Sequence, residues 1–455
     1  MREFILSLTI SLIVVIFCGG RIAGKSQEHR TEIQSKELDA ASQSEIIEEI
    51  AKLIEEKYVF PDVAEKIAED IRNRQRKKAY DHITTLQAFL QQITKDMRSI
   101  NNDAHLGVIP RRGPIKEGVS TDEMYKAFYL KRAPFQNYGF KKVERLLGNV
   151  GCIVMDEFSY VEMDGENVGG ETARAAIQFI SHSYTLIIDL RDNFGGRDEM
   201  ALLLLSYFFD KPVHVLTKRY RGKEETQIWT QEEMDRGRLP DIPLYVLTSR
   251  HTVSGGEMFA YVLKNRKRAT IIGEKTRGAA HRTHLFSLQN YKIDVAIPVG
   301  TTIDPETGTD WEGKGVEPDI AVSSAEAMDV AYKEALTKII QSEGDRSERQ
   351  EMEWALMEVE AMLNPVTIDE ASLQEYVGVY GERKITLKNR TLTYQREGQS
   401  VFELKPMAKD LFLFVDKSMF YARIKFGRNK SGVINKMIIV YDTGQKDEFP
   451  KTYNK

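Results

Sequence analysis

Cysteine is nearly absent: Cys18 and Cys152 are the two cysteines in 455 residues. Neither a disulfide framework nor a cysteine-rich metal site can be built from so few thiols. A charge of one sign is missing too. The formal net charge is −4 with both signs mixed, which argues against nucleic acid as a main partner. No internal repeat is visible, and apolar runs are short except at the start of the chain. There Arg2 precedes a mostly apolar run from Phe4 to Phe17, followed by Cys18, Gly19 and Gly20. The run is too short for a comfortable membrane span. A charged start, an apolar middle and small residues are the parts of an export signal. Residues 1–24 therefore read as a signal peptide or lipoprotein signal, and the mature protein as periplasmic or secreted. Phe17 suits a lipobox poorly, and a retained tether at the membrane is the second reading. Cleavage after Gly20 would leave Cys152 alone, expected as a buried apolar residue.

At this length the chain exceeds one core and predicts several domains. Residues 25–43 are polar and read as a linker. Residues 44–100 predict a helical N-terminal domain. Ser42-x-x-Glu45 is a capping box, Pro61 suits the first position of a second helix, and Thr84 or Thr85 opens a third. Their apolar residues recur at helical spacing. Residues 101–341 alternate strand and helix patterns, which predicts an α/β core with a mainly parallel sheet. Ser323-x-x-Glu326 caps its last helix. Residues 342–367 read as a charged helical connector. Residues 368–455 are short β runs with turn signals, and predict a small antiparallel β domain, barrel or sandwich.

Two glycine motifs carry candidate chemistry. Leu247-Thr-Ser-Arg-His-Thr-Val-Ser254-Gly255-Gly256-Glu257 runs from a strand through a turn into a helix. A serine there is held rigidly, and the helix start offers N–H groups and partial positive charge to an anion. Ile187-Ile-Asp189-Leu-Arg191-Asp-Asn193-Phe-Gly195-Gly196 likewise leaves a buried strand for a helix. Its glycines let backbone N–H groups approach a ligand. Asp310-Trp311-Glu312-Gly-Lys-Gly-Val-Glu-Pro-Asp319, taken alone, is a charged surface turn.

In this order the segments resemble the C-terminal-processing (tail-specific) serine protease family. The resemblance is to its branch without a PDZ domain, which contains the interphotoreceptor retinoid-binding protein modules and the tricorn protease core. Asp103-Ala-His105, Asn137-Tyr-Gly-Phe, Gly148-Asn-Val-Gly and Ile272-Gly-Glu-Lys-Thr-Arg-Gly278 complete it, and it spans roughly residues 44 to 322. It implies a ClpP/crotonase-like α/β peptidase core and an acyl-enzyme route. Ser254 is then the nucleophile, and the N–H of Gly255 with that of Gly195 or Gly196 forms the oxyanion hole. The PDZ-containing branch uses a lysine base. The corresponding segment here is Thr276-Arg-Gly-Ala-Ala280, with no lysine, and Lys275 is expected to point elsewhere. His105 is expected as the base, as in the tricorn-like branch, with Glu312 orienting or polarising the site. A neutral imidazole takes a serine proton near pH 7 without special burial. Ala104 stands where the tricorn-like site has a serine.

His251, close before Ser254, is expected to face away. His281 and His284 are expected as solvated loop residues, since no third ligand accompanies them. No metal or cofactor is expected. The expected partner is a peptide or protein substrate cut by a serine-type endopeptidase, and the oligomeric state is left open. A competing expectation is a non-catalytic binder of apolar ligands on the same fold.

Overall fold

The structure is a computed structural model describing residues 38–111, 130–163, 165–234, 237–342, 346–419 and 421–452. The expected signal segment and the linker up to residue 37 lie outside these. The chain forms two compact units. The first comprises the described residues up to Glu144, with Cys152–His182 and Ile188–Ser324. The second comprises Arg145–Gly151, Ser183–Ile187 and the residues from Ala325 onward.

The first unit opens with α1 (Ala40–Lys57), α2 (Pro61–Arg76) and α3 (Leu86–Asn101). Asp39, not Ser42, caps α1: its carboxylate accepts the Ser42 N–H at 2.7 Å. The helix therefore starts before the expected boundary at residue 44. Pro61 begins α2, and Thr85 caps α3 through the Ala88 N–H at 3.4 Å. The helices do not form a core of their own. Ile46, Ile50, Ile54, Ile67, Phe89 and Ile93 share one apolar cluster with Val108, Ile293, Val295 and Ile297 from strands. Burying each such side chain contributes about 1.5–3 kcal/mol.

Those strands belong to an antiparallel sheet absent from the expected layout. Its order is β1 (Gly107–Pro110), β10 (Ile293–Ile303), β5 (His214–Tyr220) and β6 (Thr226–Trp229), with β9 (Arg282–Leu288) also on β10. A second sheet has the order β11 (Ile320–Ala321), β8 (Thr270–Gly273), β7 (Leu244–Thr248), β4 (Thr185–Asp189), β3 (Val150–Met155) and β2 (Phe140–Leu146). Here β7 pairs with β8, and β8 with β11, in parallel. The helices α4 (Val168–Ile180), α5 (Asp198–Tyr207) and α6 (Gly255–Asn265) connect these strands. Cys152 is buried in β3, and burial pushes its thiol up to about 12.

In the second unit, α7 (Ala327–Gln341) has Glu326 rather than Ser323 at its N-cap. Next, α8 (Arg346–Leu363) buries Met352, Trp354, Ala355 and Val359. Arg423 stacks over the Trp354 ring at 3.6 Å and donates to the Trp354 carbonyl, which ties the helix to the β domain. After α9 (Glu370–Tyr376), the last eight strands close into an antiparallel barrel. They are β12 (Gly378–Tyr380), β13 (Arg383–Lys388), β14 (Thr391–Arg396), β15 (Val401–Ala408), β16 (Leu411–Phe414), β17 (Ala422–Arg428), β18 (Ile434–Tyr441) and β19 (Lys446–Thr452). Pairing of Val379 with Thr452 and Tyr380 with Lys451 closes it.

Candidate active site

Ser254 stands between β7, buried along its whole length, and α6. Its backbone has φ 53° and ψ −114°, a conformation that costs a non-glycine residue about 1–3 kcal/mol. Such strain persists only where the surroundings impose it. The Ser254 N–H donates to Glu257 Oε2 at 2.9 Å. The fully buried Glu257 also accepts the Thr276 hydroxyl at 2.5 Å, the Gly278 N–H at 2.5 Å and the Ala279 N–H at 2.8 Å. Burial raises its carboxyl pKa against the pull of those donors.

The Asp189–Gly196 loop is stitched to this turn. Leu190 N–H donates to Leu247 O at 3.0 Å and Val253 N–H to Asn193 O at 3.0 Å. The Thr252 hydroxyl donates to Leu190 O at 2.7 Å, and that of Ser249 to Arg191 O at 2.5 Å. Arg191 itself grips Asp189 at 2.9 and 2.7 Å, a structural pair. Buried Asn193 takes the Gly195 N–H on its Oδ1 at 2.9 Å, so that donor is engaged. Gly195 has φ 95°, and a Cβ there would lie 2.8 Å from Ser254 Cβ and 2.7 Å from Val253 O. The Gly196 nitrogen is 3.2 Å from where a Gly255 Cβ would be. Among the described residues, no acceptor meets the N–H of Gly196 or Gly255.

His105 sits in a second cluster, in the turn between α3 and β1. Arg98 anchors that turn by donating to Leu106 O at 2.7 Å and Ala104 O at 2.8 Å. The His105 N–H donates to Asp103 Oδ1 at 2.9 Å. The other Asp103 oxygen accepts the Tyr58 hydroxyl at 2.8 Å and His281 Nδ1–H at 2.7 Å. Glu312 accepts the N–H groups of Ala104 at 2.9 Å, Ala280 at 2.5 Å and His281 at 2.9 Å. Its Oε2 lies 3.7 Å from His105 Nδ1 and 3.8 Å from His281 Nδ1.

Burial alone would raise the Glu312 carboxyl. The adjoining His105 and His281 imidazoles and the Ala104 N–H outweigh it, holding Glu312 below the usual carboxylate range. Burial alone would lower His281. The Asp103 hydrogen bond and the charges of Asp103, Glu312 and Asp310 outweigh that and raise it to about 9, so His281 is cationic at neutral pH.

The segment 276–281 joins the two clusters: the amides of Gly278 and Ala279 go to Glu257, and those of Ala280 and His281 to Glu312. Among the described residues, no hydrogen bond links the Ser254 hydroxyl to His105. The structure thus brings Ser254, Gly255, Gly195 and Gly196 together, and His105 with Glu312. His251 is exposed beside Arg250, and Lys275 pairs with Glu317 at 2.6 Å, both half exposed or more.

The expectation for His281 is overturned. It is 6 % exposed: Phe60 packs against its ring, Asp103 and Glu312 lie beside it, and Tyr58 bonds the same Asp103 oxygen. With Asp103 and Glu312 it forms a third group that sequence reasoning missed. Their donor atoms lie within 4.8 Å of one another, near enough to hold a cation. Both carboxylates already receive N–H or O–H donors, and His281 is one of those donors, so the trio forms a hydrogen-bonded network rather than an open coordination shell. The role of Glu257 was missed as well, although its residue lies within the serine motif.

Residues 149–322 match the model described as peptidase family S41. Residues 39–129 match the model described as the N-terminal domain of Peptidase_S41 in eukaryotic IRBP. The protein named "Probable CtpA-like serine protease" in Staphylococcus epidermidis is 27% identical over 187 residues, covering 39% of this chain and 34% of that protein. "Carboxyl-terminal-processing peptidase 1, chloroplastic" of Arabidopsis thaliana is 26% identical over 183 residues, covering 40% and 35%. The chain thus spans about a third of the length of these relatives. Among solved structures, the photosystem II D1 C-terminal processing protease is similar at 15% identity and TM-score 0.39, covering 62% of this chain and 94% of that one. The tricorn protease is similar at 14% and 0.44, covering 67% and 37%.

Proposed function

We propose that this protein is a serine-type peptidase in which Ser254 is the nucleophile, His105 the base and Glu312 the group that orients His105. The observation that carries the reading is the strained Ser254 backbone, held by Glu257 and packed against Gly195. A serine kept in that conformation at a strand-to-helix turn resembles a nucleophile elbow. Ser254 Oγ attacks the scissile carbonyl carbon while His105 takes its proton. The oxyanion is met by the N–H groups of Gly255 and Gly196. Gly196 is favoured over Gly195 because Asn193 already engages the Gly195 N–H. Each such donor is worth about 3 kcal/mol in the transition state. The proton then passes to the leaving amine, and water releases the acyl group.

The core is of the ClpP/crotonase-like kind in this reading. The substrate is an unstructured protein tail or peptide cut as an endopeptidase would cut it. The N-terminal apolar run supports an extracytoplasmic site of action, after export or on a membrane tether. A fluorophosphonate probe tests the assignment: it should label the wild type and leave Ser254→Ala unlabelled. Equal labelling of both overturns it.

A further inference from the structure

We propose that His281 is a positioning residue for this reaction: clamped between Asp103 and Glu312, it fixes the His105 imidazole in the orientation the reaction needs. The proposal rests on the serine-peptidase reading above.

Two loops must meet to build the His105 cluster, and His281 touches both. Its Nδ1–H bonds Asp103 at 2.7 Å, and Asp103 also holds the His105 N–H at 2.9 Å. Its own N–H bonds Glu312 at 2.9 Å, and Glu312 faces His105 Nδ1 at 3.7 Å. The ring is buried and packs edge-on against Phe60 at 5.4 Å. It has no freedom to serve solvent or a surface partner.

Charge supplies the second half of the argument. The groups facing His281 are Asp103 after α3 and Asp310 and Glu312 on their shared loop; Tyr58 bonds the same Asp103, and His105 faces the same Glu312. Arg98 of α3 is near Asp103 and Glu312, and Arg277 is near Arg98. Three carboxylates therefore surround one imidazole. Without a cation there, Asp103 and Glu312 would repel across the gap that His281 fills, and the turn carrying His105 would separate from Glu312.

Two variants of the full chain separate hydrogen bond from charge. His281→Asn keeps an N–H donor for Asp103 and loses the charge; His281→Ala loses both. Measured across pH, His281→Asn should still label at Ser254. Its kcat should fall about 10-fold with KM little changed, and the acid limb of kcat/KM should move to higher pH, because a cation beside the base is gone. His281→Ala should lose about 100-fold in kcat, the scale of a base misplaced by an ångström. Folded variants with wild-type kcat and pH profile would overturn the positioning role. So would loss of Ser254 labelling as complete as in His105→Ala, which would make His281 the base. A wild type that neither labels nor turns over peptides overturns the peptidase reading itself, and the positioning role with it.

Discussion

The Ser254 turn and the His105 cluster are built on different principles. The serine side is a backbone construction: amides, carbonyls and one buried carboxylate, Glu257, lock a strained residue between β7 and α6. The histidine side is a side-chain construction, in which Asp103, His105, His281 and Glu312 balance charge across distant loops. The first side depends on one titrating group, Glu257, whose pKa burial raises, whereas the second is held by several that titrate against one another.

Removing Glu257 should have the largest effect. Glu257→Ala leaves four donors without their acceptor, three of them buried, at about 1–3 kcal/mol for each one not re-solvated. Urea unfolding should record a loss of several kcal/mol, and a loss below about 1 kcal/mol would mean the turn does not depend on it. Gly195→Ala comes next. The new methyl meets Ser254 Cβ at 2.8 Å, and kcat/KM should fall about 100- to 1000-fold, the scale of a displaced oxyanion site.

The contrast in pH follows from His281. Its folded pKa, about 9, lies above the ordinary value near 6.5, so the folded state holds this proton more tightly. The stability it contributes, up to about 3 kcal/mol, is fully present below about pH 6.5 and is lost as pH rises through about 9. Thermal unfolding between those limits should show this slope in the wild type and not in His281→Asn. The smallest effect is expected of His251→Ala, which should leave kcat/KM within about 2-fold because that ring is exposed beside Arg250.

The same division decides what could be read from the sequence. The serine side is local, and its strand, turn and glycines lie in single stretches whose residue types state their geometry. Helices α1–α3 were legible for the same reason, through periodic Ile, Leu and Phe. The site of His281 was not legible, because its surroundings come from Phe60 and Asp103, well over a hundred residues earlier, and from the Glu312 loop. The edges of the antiparallel sheet were also hidden. Strands β5 and β6 carry Lys218, Arg219, Thr226 and Gln227, polar enough to pass for loop. Strand β19 places Lys446, Glu448 and Pro450 on its exposed face, which masks its alternation. The start of α1 was misjudged because Asp39 and Ser42 are both good caps and only the fold chooses between them.

Closure of the C-terminal barrel through β12 and β19 has a consequence for how that unit can meet other molecules. Away from the short seam, where β12 and β19 pair only at Val379–Thr452 and Tyr380–Lys451, each strand is flanked on both sides, which leaves little open edge for an incoming extended peptide or for edge-to-edge zipping of copies. Binding there falls mainly to side chains on the outer wall or at the rims.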